Sequence, residues 1–154
     1  MEIYNLQNKQ EYLDEVAKLE YEEWAHNKDE NKSERIIRKK RKICDMFSNE
    51  NFCKLVLVKN DELIGFISIF PKDCDEEIEL TPWYATMYVK KKFRGHGYSK
   101  ILNDAILNEA RNRGFKILYL KTDLENYYEK FGAVFIKKLK SGESLYKFEI
   151  KKYD

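Results

Sequence analysis

A chain of 154 residues is long enough for one domain of ordinary size and short for two. Its 29 basic residues against 27 acidic residues leave a formal net charge of +2, which gives no support for nucleic-acid binding on charge alone. Two prolines, six glycines and 43% hydrophobic residues argue against a disordered chain or a repeat array.

Three cysteines (Cys44, Cys53 and Cys74) and two histidines provide neither a CxxC pair nor the spacing of a zinc site. The first ten residues lack the apolar core of a signal peptide, and no stretch approaches about 20 apolar residues. We therefore expect a cytoplasmic protein whose cysteines are buried and which uses no metal, no membrane and no nucleic acid.

Hydrophobic periodicity divides the first half of the chain into alternating helix and strand signals. Asn60 and Asp61 separate two β-rich segments and predict a hairpin turn. In chain order the predicted elements are a strand (Met1–Leu6), a helix (Lys9 to about His26), a second helix that begins at Ser33 and whose apolar stripe runs to Phe47, and two strands (Phe52–Lys59 and Glu62–Phe70).

The second half continues with an extended segment that Pro82 interrupts, followed by a glycine-spaced turn and a strongly amphipathic helix that ends at Gly114. The predicted elements are strands over Ile78–Val89, Lys116–Thr122, Val134–Leu139 and Leu145–Lys151, and a short helix over Glu125–Phe131. This order of elements predicts a single layered α/β fold with a mixed sheet.

The most informative segment is Met87–Ser99, in which a strand leads into a turn with two glycines that opens a helix. Glycines let the backbone approach a ligand closely, and the first amides of a helix have no partners within it. The helix dipole, Arg94 and the lysines at positions 90–92 add positive charge, so a diphosphate would fit here. A plain strand-to-helix turn is the alternative, since neither the P-loop nor the dinucleotide motif is present.

Two motifs make the segment specific. Arg94-Gly95-His96-Gly97-Tyr98-Ser99 resembles motif A of the GNAT N-acetyltransferases, with Ser99 where glycine or alanine is usual. About thirty residues later, Tyr128-Glu129-Lys130-Phe131-Gly132-Ala133 resembles motif B of the same family, with Ala133 in place of the usual aromatic. The close resemblance covers roughly Leu80–Val134, and the rest of the chain only by the order of its elements.

The resemblance implies one GNAT domain over residues 1–154, with the acyl-CoA N-acyltransferase fold. That fold has a mixed, mostly antiparallel sheet of six or seven strands, about four helices, and two central strands that splay apart. Acetyl-CoA would be the co-substrate, with its pantetheine arm along the strand before the turn and its pyrophosphate in the turn. The implied cofactor-binding residues are Met87, Tyr88, Val89, Arg94, Gly95, His96, Gly97, Tyr98, Ser99 and Asn126.

For catalysis the resemblance implies direct transfer of the acetyl group to an amine, with Tyr128 protonating the leaving thiolate. A phenol with a pKa of about 10 is protonated at neutral pH and suits that role. Backbone amides near Val89 would stabilise the oxyanion. Glu77, Glu79 and Thr81 share one face if their segment is a regular strand, and Glu79 is the candidate general base. A water chain, or an amine that arrives neutral, is the alternative.

The acceptor side is less defined. Trp24, near the end of the first helix, would be a core residue or part of an acceptor wall together with Glu22, Glu23, Asp29 and Glu30. Trp83 and Tyr84 are further candidates for lining the cleft. The basic run Arg38–Lys42 is expected to be a solvated helix face, with binding of an acidic partner or RNA as the alternative. A small-molecule or peptide amine is the expected partner of a monomer or homodimer, and a non-catalytic acyl-CoA sensor is the alternative function.

Overall fold

A computed structural model describes residues 1–25 and 31–152 of the protein. Seven strands and three α-helices make up its regular structure. The helices are α1 (Leu13–Glu20), α2 (Lys32–Met46) and α3 (Tyr98–Asn112). The strands are β1 (Glu2–Asn5), β2 (Cys53–Lys59), β3 (Glu62–Phe70), β4 (Trp83–Val89), β5 (Ile117–Thr122), β6 (Val134–Lys138) and β7 (Ser144–Glu149).

The strands form one sheet in the order β1-β2-β3-β4-β5-β7-β6. Every neighbouring pair is antiparallel except β4 and β5, which are parallel. A mixed, mostly antiparallel sheet of seven strands is thus confirmed. The expected fourth helix is a single 3₁₀ turn, Tyr128–Phe131, so the described residues contain three α-helices.

Both faces of the sheet are covered, because β2 and β3 alternate buried side chains towards each side. On one face Leu55, Leu57 and Ile67 pack against Leu102 and Ile106 of α3. On the other face Val56, Val58 and Phe66 pack against Val16 of α1 and Ile43 of α2. We call these the α3 face and the α1/α2 face.

Local turn chemistry explains some boundaries and corrects others. Asn60 and Asp61 both have positive φ (52° and 62°), as a tight hairpin turn with right-handed twist requires, so the predicted hairpin is confirmed. The predicted cap of the second helix was wrong: Asn31, not Ser33, accepts a hydrogen bond from the amide of Glu34 (3.2 Å).

The first predicted helix is also less regular than its periodicity indicates. Two 3₁₀ turns precede α1, and a π-helical turn, Tyr21–Ala25, follows it. The end of that predicted helix at His26, and the acceptor-wall candidates Asp29 and Glu30, lie outside the described residues. Within the part of the chain that is described, no helix is long and apolar enough to cross a membrane.

The basic run of α2 is partly engaged with α1. Lys40 forms an ion pair with Asp14, and the Lys39 ammonium lies 3.8 Å from the Glu20 carboxylate. Lys42 faces the large cavity described below. The run therefore packs two helices together as well as being a solvated face.

Candidate active site

β4 and β5 run side by side at one end and separate at the other. Trp83 and Tyr119 are their one pair in register, and the amide of Tyr119 donates to the carbonyl of Pro82 (3.0 Å). Beyond this point no further pair is formed between the two strands. The edge of β4 that faces β5 is therefore open along Met87–Val89, as the splayed strands of the sequence analysis require. An extended chain of amides could bind there.

A β-bulge lies at the start of this open edge. The register with β3 passes from Phe66 opposite Tyr88 to Ser68 opposite Ala85, so Thr86 and Met87 together face one residue. Thr86 has a φ of +48°, which is rare for a β-branched residue. Bulges re-aim backbone groups and side chains, and they are common beside active sites. The bulge therefore lies on β4 beyond its one registered pair with β5.

The glycine turn follows β4 directly. Gly95 and Gly97 have φ values of +83° and +80°, and a Cβ atom built on either would have no neighbour within 4 Å. Gly97 is the N-cap of α3 and offers no side-chain hydrogen bond to the first helical amides. Tyr98 and Ser99 form the first turn of α3 and are half-buried. Open amides at a helix N-terminus are what a diphosphate requires.

The cations beside the turn differ from the sequence expectation. Arg94 donates from Nε to the carbonyl of Val89 (2.9 Å), and its guanidinium lies 5.6 Å from the ring centre of Tyr88. Lys90 and Lys92 form ion pairs with Glu15 and Glu62, both at 2.6 Å. Two of the four expected cations, Lys90 and Lys92, are thus already paired with carboxylates, so backbone amides carry a larger share of anion binding in the turn than the sequence indicates.

Two further members of the predicted cofactor set, His96 and Asn126, have exposed side chains. The imidazole of His96 is exposed, with its ring 6.1 Å from that of Tyr98. Asn126 is exposed on the segment before Tyr128 and has a φ of +56°. Neither residue contributes to the core.

A cavity of about 1150 Å³ adjoins the open end of β4. Its wall includes Met87 from β4, residues 120–122 from β5 and Tyr128. Tyr128 is only 9% exposed, and burial raises the pKa of its phenol to about 12, with Tyr127 adding to the effect. The hydroxyl is therefore protonated throughout the physiological range. It is the one predicted catalytic residue that the structure places in the cavity wall.

Of the three residues predicted to line the acceptor site, two lie in the cavity wall and one lies in the core. Trp24 is 47% exposed and lines the cavity, with its ring edge-on to those of Phe66 and Tyr88. Tyr84 also lines the cavity, although it is almost fully buried. Trp83 is fully buried and donates from its indole nitrogen to the carbonyl of Leu80 (2.7 Å), so it is a core residue and not part of the cavity wall.

Glu79, the predicted general base, does not lie on a strand. Residues 71–82 form turns and irregular backbone, in which the amide of Leu80 donates to the carbonyl of Glu77. Glu79 is exposed in one of these turns and does not line the cavity. The expectation that Glu77, Glu79 and Thr81 share a strand face was therefore wrong, because β4 begins only at Trp83.

The same irregular segment supplies a carboxylate that the sequence did not single out. Asp73 lines the cavity and is half-buried. Desolvation raises the pKa of its carboxyl to about 6; Glu143 adds to the rise and Lys121 opposes it. Nothing in the acidic run 73–77 distinguishes this residue from its neighbours. Only the fold selects it.

A buried charged network was also missed. The fully buried Lys54 pairs with Glu20 and donates to Ser68 Oγ (2.6 Å), whose hydroxyl lies 2.6 Å from that of Thr86. The network thus connects α1, β2 and β3 to the bulge of β4. A single lysine inside the apolar run Cys53–Val58 was the available signal, since an unpaired lysine is almost never fully buried.

Solved acetyltransferase structures share this architecture. An aminoglycoside 6′-N-acetyltransferase complexed with coenzyme A superposes with a TM-score of 0.74 at 18% identity, over 100% of this chain and 99% of that chain. The PaiA N-acetyltransferase of Thermoplasma acidophilum, in complex with coenzyme A, gives 0.65 at 18% identity over 97% and 99%. At these identities the likeness shows the fold, and it is the fold of acetyltransferases.

The sequence gives the family itself. The profile of the acetyltransferase (GNAT) family matches residues 2–133, and the chain belongs to that family. A curated relative, N-alpha-acetyltransferase 30 of Schizosaccharomyces pombe, is 30% identical over 89 residues. That match covers 54% of this chain and 59% of the relative, so the chain spans less than two thirds of the relative's length.

Proposed function

We propose that this acetyltransferase moves the acetyl group of acetyl-CoA directly to an amine, with Tyr128 as the general acid. The observation that carries the proposal is the position of Tyr128, a protonated phenol in the cavity wall beside the gap between β4 and β5. A phenol there is available to protonate a thiolate that leaves from the gap.

The cofactor half of the proposal rests on how well the chain fits a pantetheine diphosphate. The open edge of β4 over Met87–Val89 suits the amides of a pantetheine arm, and the uncapped start of α3 suits a pyrophosphate. The open space at Gly95 and Gly97 leaves room for close approach. The coenzyme A complexes of two proteins with the same fold support this placement.

Acetyl transfer also requires stabilisation of the oxyanion that forms at the thioester carbonyl, and the bulge of β4 supports this role. The sequence predicts donors near Val89; we instead propose the amides of Thr86 and Met87, where the bulge interrupts pairing with β3. A preorganised backbone amide in a site that excludes water is worth about 3 kcal/mol to such a transition state.

The amine is proposed as the acceptor because the relatives are N-acetyltransferases by name. The amino groups of peptides and of aminoglycosides are the acceptor classes that those names indicate. We further propose a cytoplasmic location, since all three cysteines are unpaired thiols.

The test measures two quantities separately. Isothermal titration of acetyl-CoA against the purified protein gives binding, and release of free thiol with a panel of amines gives turnover. Binding together with thiol release supports the proposed function. Binding without thiol release from any amine would favour a non-catalytic acyl-CoA sensor, and absence of binding would contradict both.

A further inference from the structure

Five carboxylates line the cavity, and their surroundings differ. Glu20 is paired with Lys54 and Lys39. Glu143 accepts one long hydrogen bond, from the hydroxyl of Ser141 in the same turn (3.3 Å). Glu23 and Asp123 are exposed. Asp73 is half-buried and forms no ion pair or side-chain hydrogen bond with any residue of 1–25 and 31–152. It is the one that combines partial burial with an uncommitted carboxylate.

The loop that carries Asp73 is fixed in place. The next residue, Cys74, is buried against Trp83, Leu139 and Leu145. Two residues after Cys74, the Glu76 carboxylate accepts from the amides of Lys140 (2.7 Å) and Ser141 (3.2 Å) in the turn between β6 and β7. These contacts hold the loop against the far side of the sheet, so the carboxylate has a defined position in the cavity wall.

Asp73 and Tyr128 approach the gap from opposite sides of the sheet. Tyr128 packs in the α3-face core with Leu118 and Leu120 of β5. Side chains of β5 alternate between the two faces of the sheet, so Lys121 lies on the same face as Tyr119, opposite to Leu118 and Leu120. Lys121 is one of the charged groups that act on Asp73. One cavity contacts both residues at the end of the sheet where β4 and β5 have separated. Both residues are therefore available to a reacting group held in this cavity.

We propose that Asp73 is the general base that takes the proton from the acceptor's ammonium group. This inference rests on the proposed function and adds to it the residue on the acceptor side. Burial raises the pKa of Asp73 to about 6, which keeps the carboxylate ionised at neutral pH while making it a stronger base than an exposed aspartate. Lys121 from β5 and Glu143 from the β6–β7 turn are the charged groups that face it, with Lys72 and Asp123 elsewhere on the wall.

The protons of the reaction are then accounted for. An acceptor R–NH₃⁺ gives one proton to the Asp73 carboxylate, directly or through one water, and the freed lone pair forms the N–C bond to the thioester carbon. The C–S bond breaks with its electron pair on sulfur, which takes the phenolic proton of Tyr128. The second proton of the nitrogen restores the phenol through water. The products are R–NH–acetyl, coenzyme A thiol and one proton, which Asp73 releases to solvent.

The test uses the full chain, acetyl-CoA, and three cationic amines: kanamycin A, spermidine and a hexapeptide with a free α-amine. Hydroxylamine, which is largely neutral at pH 7.5, is the acceptor that needs no base. We expect Asp73→Asn to lower kcat at least about 100-fold with the cationic amine that the wild type uses best. We expect its rate with hydroxylamine, and its Kd for acetyl-CoA, to stay within about threefold, since the cofactor half is intact.

The pH profile gives a second readout that a structural role would not move. For the wild type, kcat/KM for the amine should fall about tenfold per pH unit below a pKa of about 6, and Asp73→Asn should lack this limb. Relative to Asp73→Asn, Asp73→Glu should restore part of kcat and the decrease of kcat/KM at acidic pH. Asp75→Asn, an exposed carboxylate two residues away on the same loop, is the matched control and should keep both rate and profile.

Three results would overturn the inference and leave the proposed function standing: Asp73→Asn within threefold of the wild type, a limb that survives in Asp73→Asn, or a limb that disappears instead in Glu79→Gln. Equal losses with hydroxylamine and with the cationic amines would show a structural role and also overturn it. A wild-type protein that binds acetyl-CoA and releases no thiol with any of the four acceptors would contradict the proposed function itself, and the role of Asp73 with it.

Discussion

The ring of Tyr84 meets the ring of Tyr128 edge-on, with 5.7 Å between their centres. Tyr84 is itself held by a hydrogen bond from its hydroxyl to Asn103 Oδ1 of α3 (2.8 Å). Edge-to-face contacts of this kind orient aromatic rings and add about 0.5–1.5 kcal/mol to their burial. The position of the Tyr128 ring is therefore set by packing, and its hydroxyl can be removed without moving the ring.

This separation makes Tyr128→Phe a clean test of the acid role. We expect kcat with the best amine to fall by about 100-fold or more, because the thiolate must then leave without a proton donor. The Kd for acetyl-CoA should stay within about threefold, since the proposed binding surface consists mainly of backbone groups of β4 and the glycine turn. Stopped-flow release of free thiol and isothermal titration measure the two quantities.

Tyr127→Phe is the matched control for that experiment. Tyr127 is adjacent in the chain, and its ring lies 4.8 Å from that of Tyr128 in a similar edge-on contact. The Tyr127→Phe variant loses a phenolic oxygen from the neighbouring ring and should retain near-normal turnover. An unchanged kcat in Tyr128→Phe at saturating substrates would remove the hydroxyl from the mechanism.

Gly97→Ala should weaken acetyl-CoA binding at least about fivefold. Its φ of +80° strains any L-residue, by roughly 1–2 kcal/mol, and the added methyl group projects into the open space where the phosphates would lie. Gly142→Ala imposes the same kind of strain (φ of +94°) in the β6–β7 turn, away from α3. Both variants should lose similar stability in thermal unfolding, and only Gly97→Ala should change the Kd. Equal Kd values for the two would place the phosphates elsewhere.

The elements that the sequence predicts well are those encoded by neighbours in the chain. The hairpin at Asn60-Asp61 and the glycine turn before α3 need only their own backbone preferences, and the amphipathic stripe of α3 needs only one period. Both motifs of the family also lie in continuous segments. These features include the proposed cofactor side of the site and Tyr128.

The features that the sequence did not predict depend on contacts between distant residues. Lys90 and Lys92 look like free cations until α1 and β3 bring Glu15 and Glu62 against them. Residues 71–82 look partly extended, but the segment is held as turns by the β6–β7 turn more than 60 residues later. The structure places Asp73 in the cavity wall and Glu79 outside it, and that difference depends on the fold of this loop, which the local sequence pattern does not encode.

The buried pair of Lys54 and Glu20 should be strongly coupled. Lys54→Met leaves a buried carboxylate with only Lys39 at 3.8 Å, and we expect it to lower the free energy of unfolding by about 3 kcal/mol. The double variant Lys54→Met with Glu20→Gln should lose less than the sum of the single changes, with a coupling of about 1–3 kcal/mol. Urea unfolding measures all three.

An exposed ion pair provides the comparison. Lys100 and Asp104 lie 2.7 Å apart on the solvent side of α3, and Lys100→Met should cost at most about 0.5 kcal/mol. Additive effects in the Lys54 and Glu20 cycle, similar to those of this surface pair, would contradict a direct interaction in the core.

The three thiols should differ sharply in reactivity. Cys44 is exposed, contrary to the expectation that all three are buried, while Cys53 and Cys74 are buried. Burial raises the pKa of the Cys53 thiol to about 12, so almost none of it is thiolate at pH 8. An aromatic disulfide reagent should modify one thiol quickly in the folded protein and three in urea, and Cys44→Ser should remove the fast phase. Two fast thiols in the folded protein would contradict the buried position of Cys53 or Cys74.

Asp73 should lower stability at neutral pH, and its removal should raise it. The folded-state pKa of about 6 lies above the ordinary 3.8, so the folded protein binds more protons between these values and loses stability as pH rises through that window. About two pKa units correspond to about 3 kcal/mol, and solvent screening of a partly buried carboxylate reduces the expected effect to about 1–2 kcal/mol.

Asp73→Asn should therefore increase the free energy of unfolding by about 1–2 kcal/mol at pH 8 and change it little at pH 3.5, because the wild-type carboxyl is then protonated in the folded state and mostly protonated in the unfolded state. Urea unfolding of the wild type, Asp73→Asn and Asp75→Asn at the two pH values measures this, and the exposed Asp75→Asn should stay within about 0.5 kcal/mol of the wild type at both. An Asp73→Asn protein that is less stable than the wild type at pH 8 would mean that the carboxylate is stabilised in the fold. A stabilised carboxylate would be a weak base, and the stability measurement would then contradict the role proposed for Asp73 without any acceptor in the assay.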